Sequence, residues 1–198
     1  SMEEAVRRKF AADLKDLTVA VQGLGQTGAA LCGLLHRAGA KLVVAETRSD
    51  VAAAVACRYG ADIVSAREIL SARADVFAPC AMGGVLDNAG SARLAAQVVC
   101  GSANNVLANP EVGDRLAERG VLYAPDYVVN AGGIINVCAE YLGWDAALAE
   151  RRVKETGTRL SEVFDYAEAE AMAPHRAADV LARRRLGRRA DRKISAAA

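Results

Sequence analysis

The glycine-rich turn in residues 17–28, LTVAVQGLGQTG, constrains this chain more than any other stretch. Residues 18–21 are apolar and β-branched and predict a strand, whereas residues 29–36 predict a helix. In a strand–turn–helix unit of this kind, Gly23 permits the tight turn and Gly25 lets backbone amides approach a pyrophosphate. Gly28 allows the helix to pack closely on the strand. The segment therefore predicts a dinucleotide site, and the alternative is a glycine turn used only for packing.

A carboxylate follows the second predicted strand. Residues 42–45 form that strand and Glu46 ends it. In dinucleotide-binding units an acidic residue about 20 residues beyond the glycines binds the adenosine ribose hydroxyls. A 2′-phosphate would face like charge at Glu46, so we expect NAD to be preferred to NADP. Arg48, two residues later, leaves NADP as the alternative.

The chain beyond Glu46 alternates predicted helices and strands. Parallel strands joined by helices indicate an α/β fold, a Rossmann-like, doubly wound, mostly parallel sheet. Ligands bind outside the carboxyl ends of such strands. We therefore expect the loops at Gly23, Glu46, Pro79, Ala103 and Asn130 to converge on one crevice. The further strands are predicted at 61–64, 75–78, 98–101 and 121–124, and the helices at 3–12, 50–59, 66–72, 91–95, 111–119 and 134–142.

The character of the sequence changes after residue 144. Residues 146–173 carry dense charge with apolar residues at helical spacing and predict one long amphipathic helix; residues 174–186 predict another. We expect an NAD-binding Rossmann domain at 2–144 and, at 145–198, a C-terminal helical extension packed on it. The extension ends in a basic tail, which is either a solvated terminus or a site for an anionic partner. The basic residues of the tail are Arg183, Arg184, Arg185, Arg188, Arg189, Arg192 and Lys193.

Composition excludes several classes of function. The chain has 198 residues, a formal net charge of +1 and 25% charged residues, so no overall field favours nucleic acid or an anionic membrane. No apolar run approaches the length of a membrane span, and the N-terminus lacks an apolar signal core. We expect a cytoplasmic protein whose partners are small molecules or proteins. Ser1 before Met2 is interpreted as a residue left by tag removal.

The cysteines and histidines give little sign of chemistry. Five cysteines lie 20 or more positions apart and indicate neither a disulfide framework nor a zinc site, so no metal is expected. His36 and His175 are interpreted as structural or surface residues. Cys80 lies in a glycine-rich turn after a strand, where it either packs beside a ligand or acts as a thiol nucleophile.

Two asparagine positions follow predicted strands. The side-chain amides of Asn104 and Asn105 both donate and accept hydrogen bonds and suit a carboxamide or an amine. Asn130 precedes two glycines, and it is interpreted either in the same way or as the cap of the helix that begins near Gly133.

Four segments together resemble the glutamate/leucine/phenylalanine/valine dehydrogenase family, in particular the C-terminal NAD-binding domain of its leucine and phenylalanine dehydrogenases. The segments are TVAVQGLGQTG, DVFAPCAMGGVL, VVCGSANNVLANP and GVLYAPDYVVNAGGIINV, in family order, and the resemblance covers residues 2–186. It implies reversible NAD-dependent oxidative deamination of a branched-chain or aromatic L-amino acid to the 2-oxo acid. It also implies a homo-oligomer.

The resemblance implies a set of site residues. Asn104 would lie beside the substrate amine, and Ile134 and Val137 would face the substrate side chain. An aliphatic residue at 134 favours leucine, valine or isoleucine, although the segment DVFAPCAMGGV is closer to the phenylalanine enzymes. The residues implied for the adenosine diphosphate are Gly23, Leu24, Gly25, Gln26, Thr27, Gly28, Ala29, Glu46 and Thr47, and those implied for the nicotinamide ribose are Cys80, Ala81, Ala103, Asn104 and Asn105.

The family's catalytic lysines and its proton-transferring aspartate lie in an N-terminal domain that has no counterpart in these residues. We therefore expect this chain to hold no catalytic residue of its own and to turn over no substrate alone. Three functions stay open from the sequence. The first is the NAD-binding domain of an amino-acid dehydrogenase; the second is a solitary NAD sensor or docking module for a separate substrate domain; the third is a stand-alone imine or oxo-acid reductase.

Overall fold

Six parallel strands form the sheet at the centre of this computed structural model, which describes the backbone of residues 1–196 and the side chains of residues 1–187. The strand order is β3-β2-β1-β4-β5-β6, and every paired strand is parallel. The predicted doubly wound α/β fold is confirmed. The strands are β1 (Thr18–Gln22), β2 (Lys41–Ala45), β3 (Asp62–Ile63), β4 (Val76–Pro79), β5 (Val98–Val99) and β6 (Leu122–Tyr123).

Helices cover both faces of this sheet. Successive strand residues point to opposite faces, so Val19 and Val21 pack in one core with α2 and α8, and Ala20 packs in the other with Phe77 and α5. Burial on both faces explains why the strands read as continuous apolar runs. The helices are α1 (Met2–Phe10), α2 (Gln26–Arg37), α3 (Ser49–Tyr59), α4 (Asn88–Arg93), α5 (Pro110–Glu118), α6 (Asp126–Val129), α7 (Gly132–Leu142), α8 (Ala146–Ala169) and α9 (Pro174–Ala196).

The helix predicted at 66–72 is wrong, because these residues form turns. Ser65 and Glu68 exchange side-chain to backbone hydrogen bonds of 3.0 and 3.3 Å, which close a single turn. The Leu70 carbonyl then accepts from the Ala95 amide at 2.9 Å. The Ser71 amide donates to the Glu68 carbonyl at 2.9 Å, three residues back, so the segment continues as tight turns and not as an α-helix.

Other helix boundaries also differ from prediction, and α9 continues to Ala196 rather than ending at residue 186. α4 begins earlier than expected because Asp87 caps it, accepting from the Gly90 amide at 2.6 Å. α8 ends at Ala169 rather than at residue 173, and Ala171 then adopts a left-handed conformation with φ of 51°. α6 was not predicted, since its four residues are too short to show a period.

The C-terminal helices pack on the rest of the molecule. Leu160 and Phe164 of α8 belong to the core that contains β1, and Arg8 of α1 pairs with Asp165 and Glu168 of α8. The division of the chain at residue 144 stays a prediction. Of the basic tail, Arg183 to Arg185 are exposed, and the side chains of Arg188, Arg189, Arg192 and Lys193 lie outside the described residues. Within residues 1–196 no helix is both long and apolar enough to cross a membrane.

Candidate cofactor-binding site

The glycine turn after β1 requires glycine for two different reasons. Gly23 has φ of 87°, a conformation that favours glycine. Gly28 lies so close to the turn that an added Cβ would fall far inside van der Waals distance of the Gly23 carbonyl oxygen, and 3.2 Å from the Cβ of Cys80. At Gly28 the helix therefore packs closely on the glycine turn and on Cys80.

The N-terminus of α2 presents backbone donors to open space. Among the described residues no side chain caps α2, whose N-cap is Gly25, and its first turn contains no acidic residue. No described atom lies within 4 Å of the position of a Cβ on Gly25. The first amides of a helix lack intrahelical partners and carry the positive end of its dipole. This end of α2 fits a phosphate group.

Glu46 joins the end of β2 to the glycine turn. Its Oε2 accepts from the Leu24 amide at 2.8 Å. Its Oε1 accepts from the Thr47 amide and hydroxyl, both at 3.0 Å, and from the Arg48 amide at 3.2 Å. These hydrogen bonds, that of Leu24 foremost, lower the pKa of Glu46 to about 2. The carboxylate is therefore ionised at neutral pH, and Oε2, with a single partner, keeps the larger capacity to accept from a ligand.

The loops after β4 and β5 are paired with each other beyond the ends of the strands. The Gly84 amide donates to the Asn105 carbonyl at 2.6 Å, and the Leu86 amide donates to the Val106 carbonyl at 3.1 Å. Leu86 and Leu107 form a parallel bridge. The two loops thus form one unit, and it carries Cys80, Ala81, Ala103, Asn104 and Asn105.

Asn130 connects the loop after β6 to this unit. Its Nδ2 donates to Asn104 Oδ1 at 2.6 Å and lies 3.4 Å from the Ala103 carbonyl oxygen. The N-cap of α7 is Ala131, without a side-chain hydrogen bond, so the interpretation of Asn130 as the cap of this helix is wrong. Asn130 instead fixes the orientation of the Asn104 amide.

The five predicted loops therefore meet at one edge of the sheet. Glu46 contacts Leu24 of the glycine turn, and a Cβ on Gly23 would lie 2.7 Å from the Cβ of Ala81. The loop of Ala81 is paired with that of Asn104, which Asn130 contacts in turn. A cavity of about 660 Å³ also opens beside Glu46, toward the edge strand β3, and Ser49, Ile63, Ser65 and Glu68 are among the residues that line it.

The two residues expected at the substrate side chain are exposed on α7. Ile134 is 61% and Val137 is 57% exposed, and residues three apart share a helix face. Both lie just after Asn130 in the chain and are free to contact a ligand or another part of the protein.

Cys32 and Cys100 are protonated thiols at neutral pH. Burial raises the pKa of Cys32 to about 11 and that of Cys100 to about 12. Cys80 is half-buried and packs against Gly28, which agrees with a packing role beside the turn.

Sequence reasoning missed Asp126. Its side chain is buried and accepts from the amides of Val106, at 2.7 Å, and Tyr127, at 2.6 Å. An aspartate after Pro125 looks like an ordinary turn residue, so only the contact with a residue 20 positions away distinguishes it.

The fold is a Rossmann-like α/β fold, and the glycine turn, the open end of α2 and Glu46 form a candidate nucleotide site. The chain belongs to the glutamate/leucine/phenylalanine/valine dehydrogenase family, because a model of that family matches residues 43–192. The resemblance inferred from the four sequence segments is confirmed.

Named relatives are amino-acid dehydrogenases. The leucine dehydrogenase of Geobacillus stearothermophilus is 38% identical over 186 residues, which are 93% of this chain and 51% of that protein. The crystal structure of L-tryptophan dehydrogenase from Nostoc punctiforme has a TM-score of 0.91 at 38% identity, covering 94% of this chain and 57% of that one. The hetero-hexameric glutamate dehydrogenase of Thermus thermophilus has a TM-score of 0.71 at 29% identity, covering 92% and 49%. The chain thus spans about half the length of the curated relatives it matches.

Proposed function

We propose that this chain is the NAD-binding part of an L-amino-acid dehydrogenase, which interconverts a branched-chain or aromatic amino acid and its 2-oxo acid. The observation that carries the proposal is the hydrogen bond from the Leu24 amide to Glu46, beside the uncapped N-terminus of α2. It provides an acceptor for ribose hydroxyls next to donors for a pyrophosphate. Similarity to leucine and tryptophan dehydrogenases supports the reaction class.

The site residues divide the cofactor between two regions. The turn from Gly23 to Ala29, with Glu46 and Thr47, would hold the adenosine diphosphate. The unit that carries Cys80 and Ala81 together with Ala103 to Asn105 would line the nicotinamide ribose. When bound, NAD supplies the acceptor for the hydride that leaves the substrate Cα.

Glu46 favours NAD over NADP. Two unit charges 4 Å apart interact by about 4 kcal/mol at an effective dielectric constant of about 20, so a 2′-phosphate beside this ionised carboxylate is strongly disfavoured. Arg48 is 61% exposed, with its Nε 3.5 Å from Glu46 Oε1, and offsets part of that repulsion. Solvent screens such an exposed cation, so NAD remains the preferred cofactor.

Asn104 is proposed to bind the substrate amine. Its Oδ1 accepts from Asn130, which fixes the amide and leaves a second lone pair on that oxygen for an ammonium group. Ile134 and Val137 would then contact an aliphatic substrate side chain, which favours leucine, valine or isoleucine.

The complete reaction needs groups beyond this crevice. Oxidative deamination requires a cation for the substrate carboxylate and a general base. Lys9, Lys15, Lys41 and Lys154, the lysines with described side chains, all lie outside the strand-end loops. We propose that a substrate-binding domain provides these groups, and that the active protein is a cytoplasmic homo-oligomer. The hetero-hexameric glutamate dehydrogenase of Thermus thermophilus supports an oligomer in general.

Calorimetric titration of the chain with NAD tests the proposal. We expect saturable binding that Glu46→Ala weakens, since this variant removes the ribose acceptor and one contact of the glycine turn. Asp50→Ala, in the exposed first turn of α3, is the matched control and should leave the affinity unchanged. A folded chain that binds no NAD would contradict the proposal.

A further inference from the structure

We propose that Asp126 is a positioning residue, whose buried carboxylate holds the Ala103–Val106 loop so that Asn104 faces the nicotinamide and the substrate amine. The inference rests on the proposed function, because it gives Asp126 a task only if that loop binds the nicotinamide half of NAD. Asp126 itself touches neither the cofactor nor the substrate.

The carboxylate connects two loops through their backbones. Asp126 is 7% exposed. Its Oδ2 accepts from the Val106 amide at 2.7 Å, and its Oδ1 accepts from the Tyr127 amide at 2.6 Å. Its own amide donates to the Tyr123 hydroxyl at 3.2 Å. Asp126 thereby ties the loop after β5 to the first turn of α6.

The loop after β5 depends on contacts of this kind. β5 contains two residues, and beyond it the loop is held by single backbone hydrogen bonds to the β4 side of the sheet, such as that from the Ala103 amide to the Pro79 carbonyl at 2.9 Å. Asn105 has φ of 51°, a conformation that asparagine adopts more readily than most residues but that still needs support. Val106 is 1% exposed, and without Asp126 its amide would be buried without a partner.

α6 holds the loop at two points, one helical turn apart. Asp126 binds the loop backbone at Val106, while Asn130, four residues later, binds the Asn104 side chain. α6 also contacts α9, because the Tyr127 hydroxyl lies 2.9 Å from Asp179 Oδ1 and 3.0 Å from the His175 carbonyl oxygen. The position of Asn104 is thus set by α6, which contacts the loop after β5 on one side and α9 on the other.

The role demands an aspartate. Both oxygens face backbone N–H donors, so an asparagine of the same shape must present its NH₂ group to one of them. Asp126→Asn therefore removes the acceptor of either the Val106 or the Tyr127 amide and leaves two N–H groups facing each other in a buried position. Asp75→Asn is the matched control, because the Asp75 carboxylate also accepts from a backbone amide, that of Thr18 at 2.8 Å, but at the amino end of the strands.

The experiment compares the affinities of the chain for NAD and for ADP-ribose, which lacks the nicotinamide. Wild type should bind NAD more tightly, since only NAD reaches the loop of Asn104. In Asp126→Asn we expect the NAD affinity to fall about tenfold, the equivalent of one hydrogen bond, with the ADP-ribose affinity unchanged. In Asp75→Asn, where the asparagine oxygen can still accept from the Thr18 amide, the ratio of the two affinities should not change. A general loss of stability cannot move that ratio selectively.

The outcomes separate this inference from the proposed function. If wild type binds neither ligand, the proposed function fails and the inference fails with it. If wild type binds NAD more tightly than ADP-ribose but Asp126→Asn leaves the ratio of these two affinities unchanged, the inference alone is overturned. The same holds if Asp75→Asn lowers this ratio as much as Asp126→Asn does. Equal affinity of wild type for both ligands also overturns it.

Hydrogen exchange in wild type tests the same contact if Asp126→Asn does not fold. The Val106 amide should exchange slowly, and NAD should slow it further while ADP-ribose does not. Exchange as fast as in an open loop would overturn the inference.

Discussion

Substitution of Gly25 by alanine should separate cofactor binding from folding. Gly25 has φ of −65° and ψ of −169°, an extended conformation open to alanine, and no described atom lies within 4 Å of the added Cβ. Replacing glycine by alanine at a compatible position stabilises a protein by about 0.4–1 kcal/mol, because it lowers the conformational entropy of the unfolded chain. We expect Gly25→Ala to keep or slightly raise the melting temperature.

The same methyl group stands where a phosphate must approach the amides of α2. The loss of one charge-assisted hydrogen bond costs about 1.5–3 kcal/mol, which is about a 10- to 100-fold loss of NAD affinity. Gly28→Ala should behave differently, because its Cβ overlaps the Gly23 carbonyl even without ligand. Overpacking of this kind costs about 1–3 kcal/mol of stability.

The assay combines thermal unfolding with calorimetric titration of NAD for both variants. Gly157→Ala is the control: it lies in α8, its nearest described neighbour is 3.9 Å from the added Cβ, and it should leave NAD affinity unchanged. Two results would refute the reasoning. One is full NAD affinity in Gly25→Ala, and the other is a loss of stability in Gly25→Ala as large as that in Gly28→Ala.

Four further predictions follow from the site. Glu46→Gln should narrow the preference for NAD over NADP in paired titrations, and an unchanged preference would contradict this role of Glu46. Tighter binding of NADP than of NAD by the wild type would show that Arg48 prevails. Folding lowers the pKa of Glu46 from 4.5 to about 2, so the ionised carboxylate stabilises the fold fully above pH 4.5 and less as the pH falls from 4.5 to about 2. The free energy of unfolding of Glu46→Gln, measured in urea, should therefore depend less on pH in this range. On an enzyme that includes a substrate domain, Ile134 and Val137 should favour leucine, valine or isoleucine, and a clear preference for phenylalanine in a substrate panel would contradict this. The chain alone should form no NADH from any branched-chain or aromatic amino acid at mildly alkaline pH. Turnover that Asn104→Ala abolishes would instead support a stand-alone reductase.

Local patterns were sufficient to predict the centre of the fold. The strand before the glycines, the helix after them and the carboxylate at the end of β2 are encoded within about 30 residues, and local sequence determines such a unit. The convergence of loops then follows from topology, since the carboxyl ends of parallel strands share one edge.

The errors arise where distant contacts decide local structure. Residues 66–72 have helical composition, but the Leu70 carbonyl bonds to Ala95. Asn130 resembles a helix cap, yet its partner is Asn104. Asp126 gives no local signal, because its role depends on the Val106 amide of another loop. Hydrogen bonds between segments distant in sequence are not visible in periodicity or spacing.

The meeting of five loops at one edge of the sheet has a consequence for the kinetics of folding. Every pair of strands is parallel, so Glu46, Ala81 and Asn104 approach one another only after several non-local pairings have formed. A partly folded chain thus offers no complete surface for the dinucleotide. NAD should leave the refolding rate of this chain unchanged and lower its unfolding rate, because interactions absent from the transition state act on unfolding alone.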